Sequence, residues 1–224
     1  MQAASPEPSE ETQASAYAPE QSVLVASLLS MSGGFLDAFT WVLLGRVLAG
    51  SQTGNVVLLA IYSTSGQWRQ ASHHLLPIVG FLVGASVAIR IRAPLLCLVG
   101  EIVCLTAVML LLHRVPGPVA ILGISFGTAL QSASFRQVER WKYLSVAVTG
   151  NMFRAVDQFA ATSDREALDG AGVMIVLCLM FLLGAAVGSC VTMRLGVWSL
   201  AVPIASSVCV ILLCCRDPRH PHRS

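Results

Sequence analysis

Charge is the scarcest thing in this sequence. Only 12% of its 224 residues are Asp, Glu, Lys or Arg, where a soluble domain carries about a quarter. Lysine occurs once, at Lys142, so the basic residues are otherwise all Arg. Neither sign dominates: 14 Lys and Arg stand against 12 Asp and Glu, a net charge of +2. That balance gives no field suited to nucleic acid. The nucleotide and catalytic signatures are missing too. There is no Walker loop, no GxSxG, no HExxH and no dinucleotide fingerprint. ATP-driven pumping by this chain alone is therefore not expected, and neither is an enzyme. The seven cysteines lie in or at the ends of apolar runs, without a CxxC pair, and read as small buried hydrophobes. The paired His73–His74 and the Arg219–His222 stretch read as surface residues. No metal and no cofactor is expected.

The first twenty residues lack Lys and Arg and carry Glu7, Glu10, Glu11 and Glu20. A secretory signal needs a basic start, so residues 1–20 read as an unfolded acidic tail. Residues 216–224 read as a polar, Pro- and His-rich tail.

What fills the rest is apolar. Hydrophobic residues make up 55% of the chain and the mean hydropathy is +0.72. A spanning helix needs about 20 mostly apolar residues. Six stretches approach this: Ser22–Gly45, Leu75–Ile91, Ala93–His113, Pro118–Phe135, Ala171–Met193 and Trp198–Cys215. Two shorter apolar pieces, Thr53–Tyr62 and Leu144–Ala160, each hold a Thr-Gly-Asn. Each piece fits a full span that starts earlier, a broken helix or a re-entrant segment. The expected fold class is all-α: a polytopic membrane helical bundle of about six full spans plus two short or broken helices.

The sequence also repeats itself. Gly33-x-x-Leu36-Asp37-Ala38 matches Gly127-x-x-Leu130-Gln131-Ser132, Thr53-Gly54-Asn55 matches Thr149-Gly150-Asn151, and Phe81–Val87 matches Phe181–Val187 at five of seven positions. The three blocks keep their order, which divides the chain into halves at 21–113 and 114–215. Duplicated halves with a site between them are a recurrent transporter plan. With six spans, the side holding both termini carries ten basic residues and the opposite side four: Arg46, Arg69, Arg114 and Arg194. With eight spans the bias vanishes. Cytoplasmic loops are rich in Lys and Arg, so six spans, inverted halves and cytoplasmic termini are expected.

Polar groups inside spans are costly and mark pathways or interhelical contacts. Asp37 and its repeat mate Gln131 fit either role. Glu101 fits a proton-coupling site, or a partner of Arg90, Arg92 or Arg154. The Thr53-Gly54-Asn55 and Thr149-Gly150-Asn151 blocks fit unwound backbone at a site, or polar glue between helices. Arg154 and Asp157, three residues apart, can neutralise each other. Gly80 with Gly84, Gly123 with Gly127, and Gly184 with Gly188 have the spacing of close helix contacts.

Gly34-Phe35-Leu36-Asp37-Ala38 with Thr53–Leu58, and Ala129–Ala133 with Thr149-Gly150-Asn151, resemble the two characteristic blocks of the YoaK-like family of bacterial membrane proteins. The resemblance covers residues 24–215. It implies a multi-pass inner-membrane protein and transport of small metabolites. The expected function is thus a secondary transporter or permease for a small polar metabolite or ion. The alternative is a non-transporting membrane sensor or scaffold. Expected partners are the lipid bilayer and a small solute, with a homo-oligomer left open.

Overall fold

The computed structural model describes residues 17–161 and 165–216. The acidic stretch up to residue 16 and the stretch from residue 217 on, with its Arg-His-Pro-His, lie outside them. The described chain is helical almost throughout: α1 (Val23–Leu43), α2 (Gln52–Thr64), α3 (Trp68–Ile91), α4 (Pro94–Leu111), α5 (Gly117–Ser134), α6 (Val148–Ala161), α7 (Arg165–Leu195) and α8 (Ala201–Arg216). Four helical stretches are long and apolar enough to cross a membrane: α1, α3, α4 and the continuous run 167–216 formed by α7, a 3-10 turn at Gly196–Leu200, and α8.

In an apolar medium the backbone must satisfy its own hydrogen bonds, and a helix does so within one segment. Local chemistry sets the ends. The Ser22 hydroxyl accepts from the Val25 amide at 3.2 Å and caps α1. Pro94 opens α4 and Pro118 lies in the first turn of α5, where the missing N–H is no loss. α1 ends at Gly45, whose φ of +84° suits glycine, and Gly196, φ +57°, breaks α7 from α8. The longest departure from the sequence-based boundaries is α3, which begins at Trp68 rather than near Leu75. The two Thr-Gly-Asn pieces form α2 and α6, of 13 and 14 residues, too short to span a bilayer core of about 30 Å. A two-residue hairpin, Gln137–Val138 against Trp141–Lys142, precedes α6.

Packing fixes the helix directions. Gln131, near the end of α5, donates to the Leu29 carbonyl near the start of α1 at 3.0 Å. Phe135 clusters with Val25 and Leu29, while Ile121 and Ile124 cluster with Phe39. α1 and α5 thus run in opposite directions. Gly184 faces Met31 and Gly188 faces Phe35, so α7 runs with α1; Gly80 faces Leu122 and Gly84 faces Phe126, so α3 runs with α5. α4 runs with α1, from Leu98 beside Val25 to Leu105 and Val108 beside Phe39. α8 runs against it, from Ile204 beside that second cluster to Val210 and Cys214 beside Val25. The packing is reciprocal: α1 lies chiefly on α7, and α5 chiefly on α3. Outward-facing positions are apolar, among them Leu82, Val103, Leu182 and Leu212, as befits a lipid-facing surface.

The link 44–51 does not run over the surface. Val47 and Ala49 are fully buried. Gly50 reaches the Val146 side chain and Thr128, and Val146 also touches Gly33 in the middle of α1. The links before α2 and α6 therefore meet inside the bundle, and both short helices start there.

The glycine crossings yield a test. A Cβ on Gly184 would fall on the Met31 carbonyl and one on Gly34 on the Phe181 carbonyl, whereas one on Gly172 would meet nothing within 4 Å. Gly184→Ala and Gly34→Ala are each expected to lower stability in detergent by about 1–3 kcal/mol or more. Gly172→Ala is expected to melt like the parent protein. Equal melting temperatures for all three variants would refute the close crossings.

Candidate functional site

The two links are held open by side chains that replace the missing helical hydrogen bonds. Asn55, fully buried in the first turn of α2, bends back to Leu48: its Oδ1 accepts from the Leu48 amide at 3.1 Å and its Nδ2 donates to the Leu48 carbonyl at 2.6 Å. Asn151, 2% exposed, makes the same pair of bonds to Leu144, at 3.3 and 2.9 Å. In both cases the partner lies seven residues earlier. An amide side chain offers one donor and one acceptor in the spacing of a backbone strand partner, and this is why Asn serves at both places.

Asp37 clamps the first link. Its Oδ1 accepts from the Gly50 amide at 2.6 Å and the Ser51 amide at 3.4 Å, and its Oδ2 accepts from the Ser51 hydroxyl. A buried carboxylate is tolerable when its lone pairs are filled this way, and here it sits at the positive end of α2. Before α6, Gln131 stands in a like relation to Ser145, to which its Nε2 donates at 3.3 Å. Both hydroxyls lie 14 residues beyond their partner. The second clamp carries no charge, and the Gln131 Oε1 is buried without a partner.

Between these clamps lies a cavity of about 630 Å3. Gly50, Ser51, Gln52 and Thr53 line it from the start of α2; Val148, Thr149 and Gly150 from the start of α6; Phe81 and Ala85 from α3; Ser132 and Arg136 from the end of α5. Thr53, Thr149 and Gly150 are thus brought together as wall residues. Asp37, Asn55, Gln131 and Asn151 stand behind the wall and hold it, while Gly54 is filled on its Cβ side by Leu48. Glu101 is elsewhere. It is fully buried in α4, accepts from the Ser207 hydroxyl of α8 at 3.0 Å, and leaves Oε1 without a partner. None of the arginines proposed for it from sequence reaches it.

Arg154 and Asp157, spaced so that they can neutralise each other, do not pair with each other here. Asp157 is exposed, and Arg154 lies back along α6, its Nη1 3.2 Å from where a Cβ on Gly150 would stand. The surface position expected for His74 is not what the structure has. His74 is 3% exposed rather than on the surface, stacked on Tyr62 with ring centroids 5.4 Å apart, and its Nδ1 lies 3.4 Å from the Asn55 Oδ1. With Arg46, Arg69 and His73 it lines a second, smaller cavity of about 360 Å3. No group of three or more His, Cys, Asp or Glu that could hold a metal occurs among the described residues.

Sequence reasoning missed Ser51, Ser132 and Arg136 as members of the site. Ser51 carried no signal beyond lying just before Thr-Gly-Asn. Ser132 and Arg136 follow the repeat residue Gln131 by one and five positions, and that proximity was the available clue.

Removing the Asn55 clasp takes the partners from the half-buried Leu48 amide and carbonyl, and removing the Asn151 clasp takes the partner from the Leu144 amide, whose carbonyl keeps the Ala147 amide, a loss of about 1–3 kcal/mol each. Asn55→Ala and Asn151→Ala are expected to lower the unfolding temperature accordingly in detergent. Unchanged unfolding in both would show that the links do not depend on them.

No curated protein and no solved structure matches the chain. The model of one family, DUF1275, described as a protein of unknown function, matches residues 25–213. That span takes in all the residues that build the clasps, the clamps and the cavity, and the chain belongs to the DUF1275 family.

Proposed function

We propose that this protein is a multi-pass membrane transporter for a small polar solute, which it carries through the cavity between α2 and α6. The observation that carries the reading is the convergence of two short helices, one from each half, on a single cavity inside the bundle. Interrupted helices that aim their ends at a central site are how transporter folds bind solutes at membrane depth. Irregular backbone is tolerated there only when it is buried in protein or lines a cavity, as both links do.

In this reading α1, α3, α4, α5, α7 and α8 cross the bilayer, while α2 enters and returns on the outer face and α6 on the cytoplasmic face. The alternation of direction along these six helices supports it, because each crossing must reverse the last. Opposed α1 and α5, reciprocal packing on α7 and α3, and the twin Asn clasps support two inverted halves. An even number of crossings leaves both termini on one side. That side carries ten of the 14 basic residues, which supports a cytoplasmic assignment. The resemblance to the YoaK-like family agrees with transport across an inner membrane. The protein acts as a carrier, not as an enzyme.

Solutes that stabilise the purified protein in a thermal-shift screen provide candidates for flux into proteoliposomes. Thr53→Phe and Thr149→Phe, which fill the cavity, are expected to abolish flux, and the lipid-facing Leu182→Phe to preserve it. Undiminished flux in both cavity variants sinks this reading. In a cysteine-free background, Arg140→Cys is expected to react with an impermeant maleimide from the cytoplasmic side only.

A further inference from the structure

The cavity wall is not symmetric in charge, and the asymmetry selects a ligand. Each short helix points the positive end of its dipole at the cavity, with the first-turn amides that a helix cannot satisfy internally. At α2 that end is already taken: the Asp37 carboxyl accepts from the Gly50 and Ser51 amides. At α6 the matching residue is the neutral Gln131. Among the described residues no acceptor pairs with the amides of Val148, Thr149 or Gly150, and all three residues line the cavity.

Two further observations point the same way. Ser132 lines the cavity, is 2% exposed, and its hydroxyl has no partner. A buried polar group without a partner is costly, and a ligand oxygen would fill it. Arg136 lines the same cavity, and among the described residues no carboxylate pairs with it. Arg154 adds a second guanidinium over Gly150. Among the described residues no carboxylate lines the cavity.

We infer that the solute is a small organic or inorganic oxyanion, a carboxylate or phosphate, bound at the α6 end of the cavity. Its oxygens accept from the first-turn amides of α6 and from the Ser132 hydroxyl, and its charge is balanced by Arg136. The arrangement is that of anion binding at a helix N-terminus, with a bidentate guanidinium donor added. Asp37 occupies the amides at the α2 end, so one anion is bound per cavity. This inference rests on the transport reading for the solute's passage, but not for its binding.

The test uses the full chain in detergent at constant ionic strength. Inorganic phosphate, acetate and succinate are compared with tetramethylammonium and erythritol by thermal shift. Saturable stabilisation by the oxyanions alone is expected. Arg136→Gln is expected to weaken apparent affinity about tenfold or more, with Arg136→Lys restoring most of it and Ser132→Ala weakening it less. Arg69→Gln, in the second cavity, is expected to bind as the parent does. Stabilisation by free phosphate in lipid-free detergent assigns a soluble solute. Stabilisation only by added phosphatidylglycerol, lost in Arg136→Gln, assigns a lipid headgroup with the same chemistry. No preference for oxyanions, or binding lost in Arg69→Gln and kept in Arg136→Gln, overturns the inference. Anion binding without flux refutes transport and leaves the anion site standing. Flux of a cation or neutral solute through the same cavity does the reverse.

Discussion

Unwound backbone buried within an apolar bundle must find partners for every N–H and C=O. The rest of this structure depends on that constraint. The links before α2 and α6 run inward and bury part of their backbone among the helices. Asn55 and Asn151 supply the missing strand partner to Leu48 and Leu144. Asp37 and Gln131 tie down the residues that follow. With the links held, two helices can begin in the middle of the bundle, and their ends can border a cavity.

The second requirement is close approach. Glycine at positions 34, 184 and 188 brings α1 and α7 into backbone contact, and glycine at 80 and 84 does so for α3 and α5. Between helices in lipid the hydrophobic effect gives no drive, so contact area and fit must hold them. Packing of α1 on α7 and of α3 on α5 interlocks elements far apart in the chain, and the links that line the cavity are wedged among them.

One difference between the two clamps gives the cavity its polarity. The clasps are alike, but one clamp ends in a carboxyl group and the other in an amide. The Asp37 carboxyl takes the Gly50 and Ser51 amides before α2. At the start of α6 the cavity is lined instead by Val148, Thr149 and Gly150, with Ser132 and Arg136 beside them.

Much of this was legible in the residues. Apolar runs located the long helices, because a lipid-facing segment must be apolar along its length. The recurring Thr-Gly-Asn blocks marked both breaks, since Asn and Gly are poor helix formers whose repetition asks for a reason. Asp37 and Gln131 stood out as polar groups in apolar surroundings. Four things were decided only in three dimensions. That the links before α2 and α6 turn into the bundle is the first, because length and hydropathy alone do not show where a link turns back. Arg154 and Asp157 have pairing distance along a helix, yet rotamer and surroundings send Arg154 to Gly150 instead. Glu101 has no sequence neighbour to reveal Ser207, which lies on a helix a hundred residues later. Ser132 and Arg136 become a site only because the α6 link folds in beside them. Composition and periodicity report what each segment can bury and how it coils; which side chains meet depends on helix crossings set by glycines far apart in the chain.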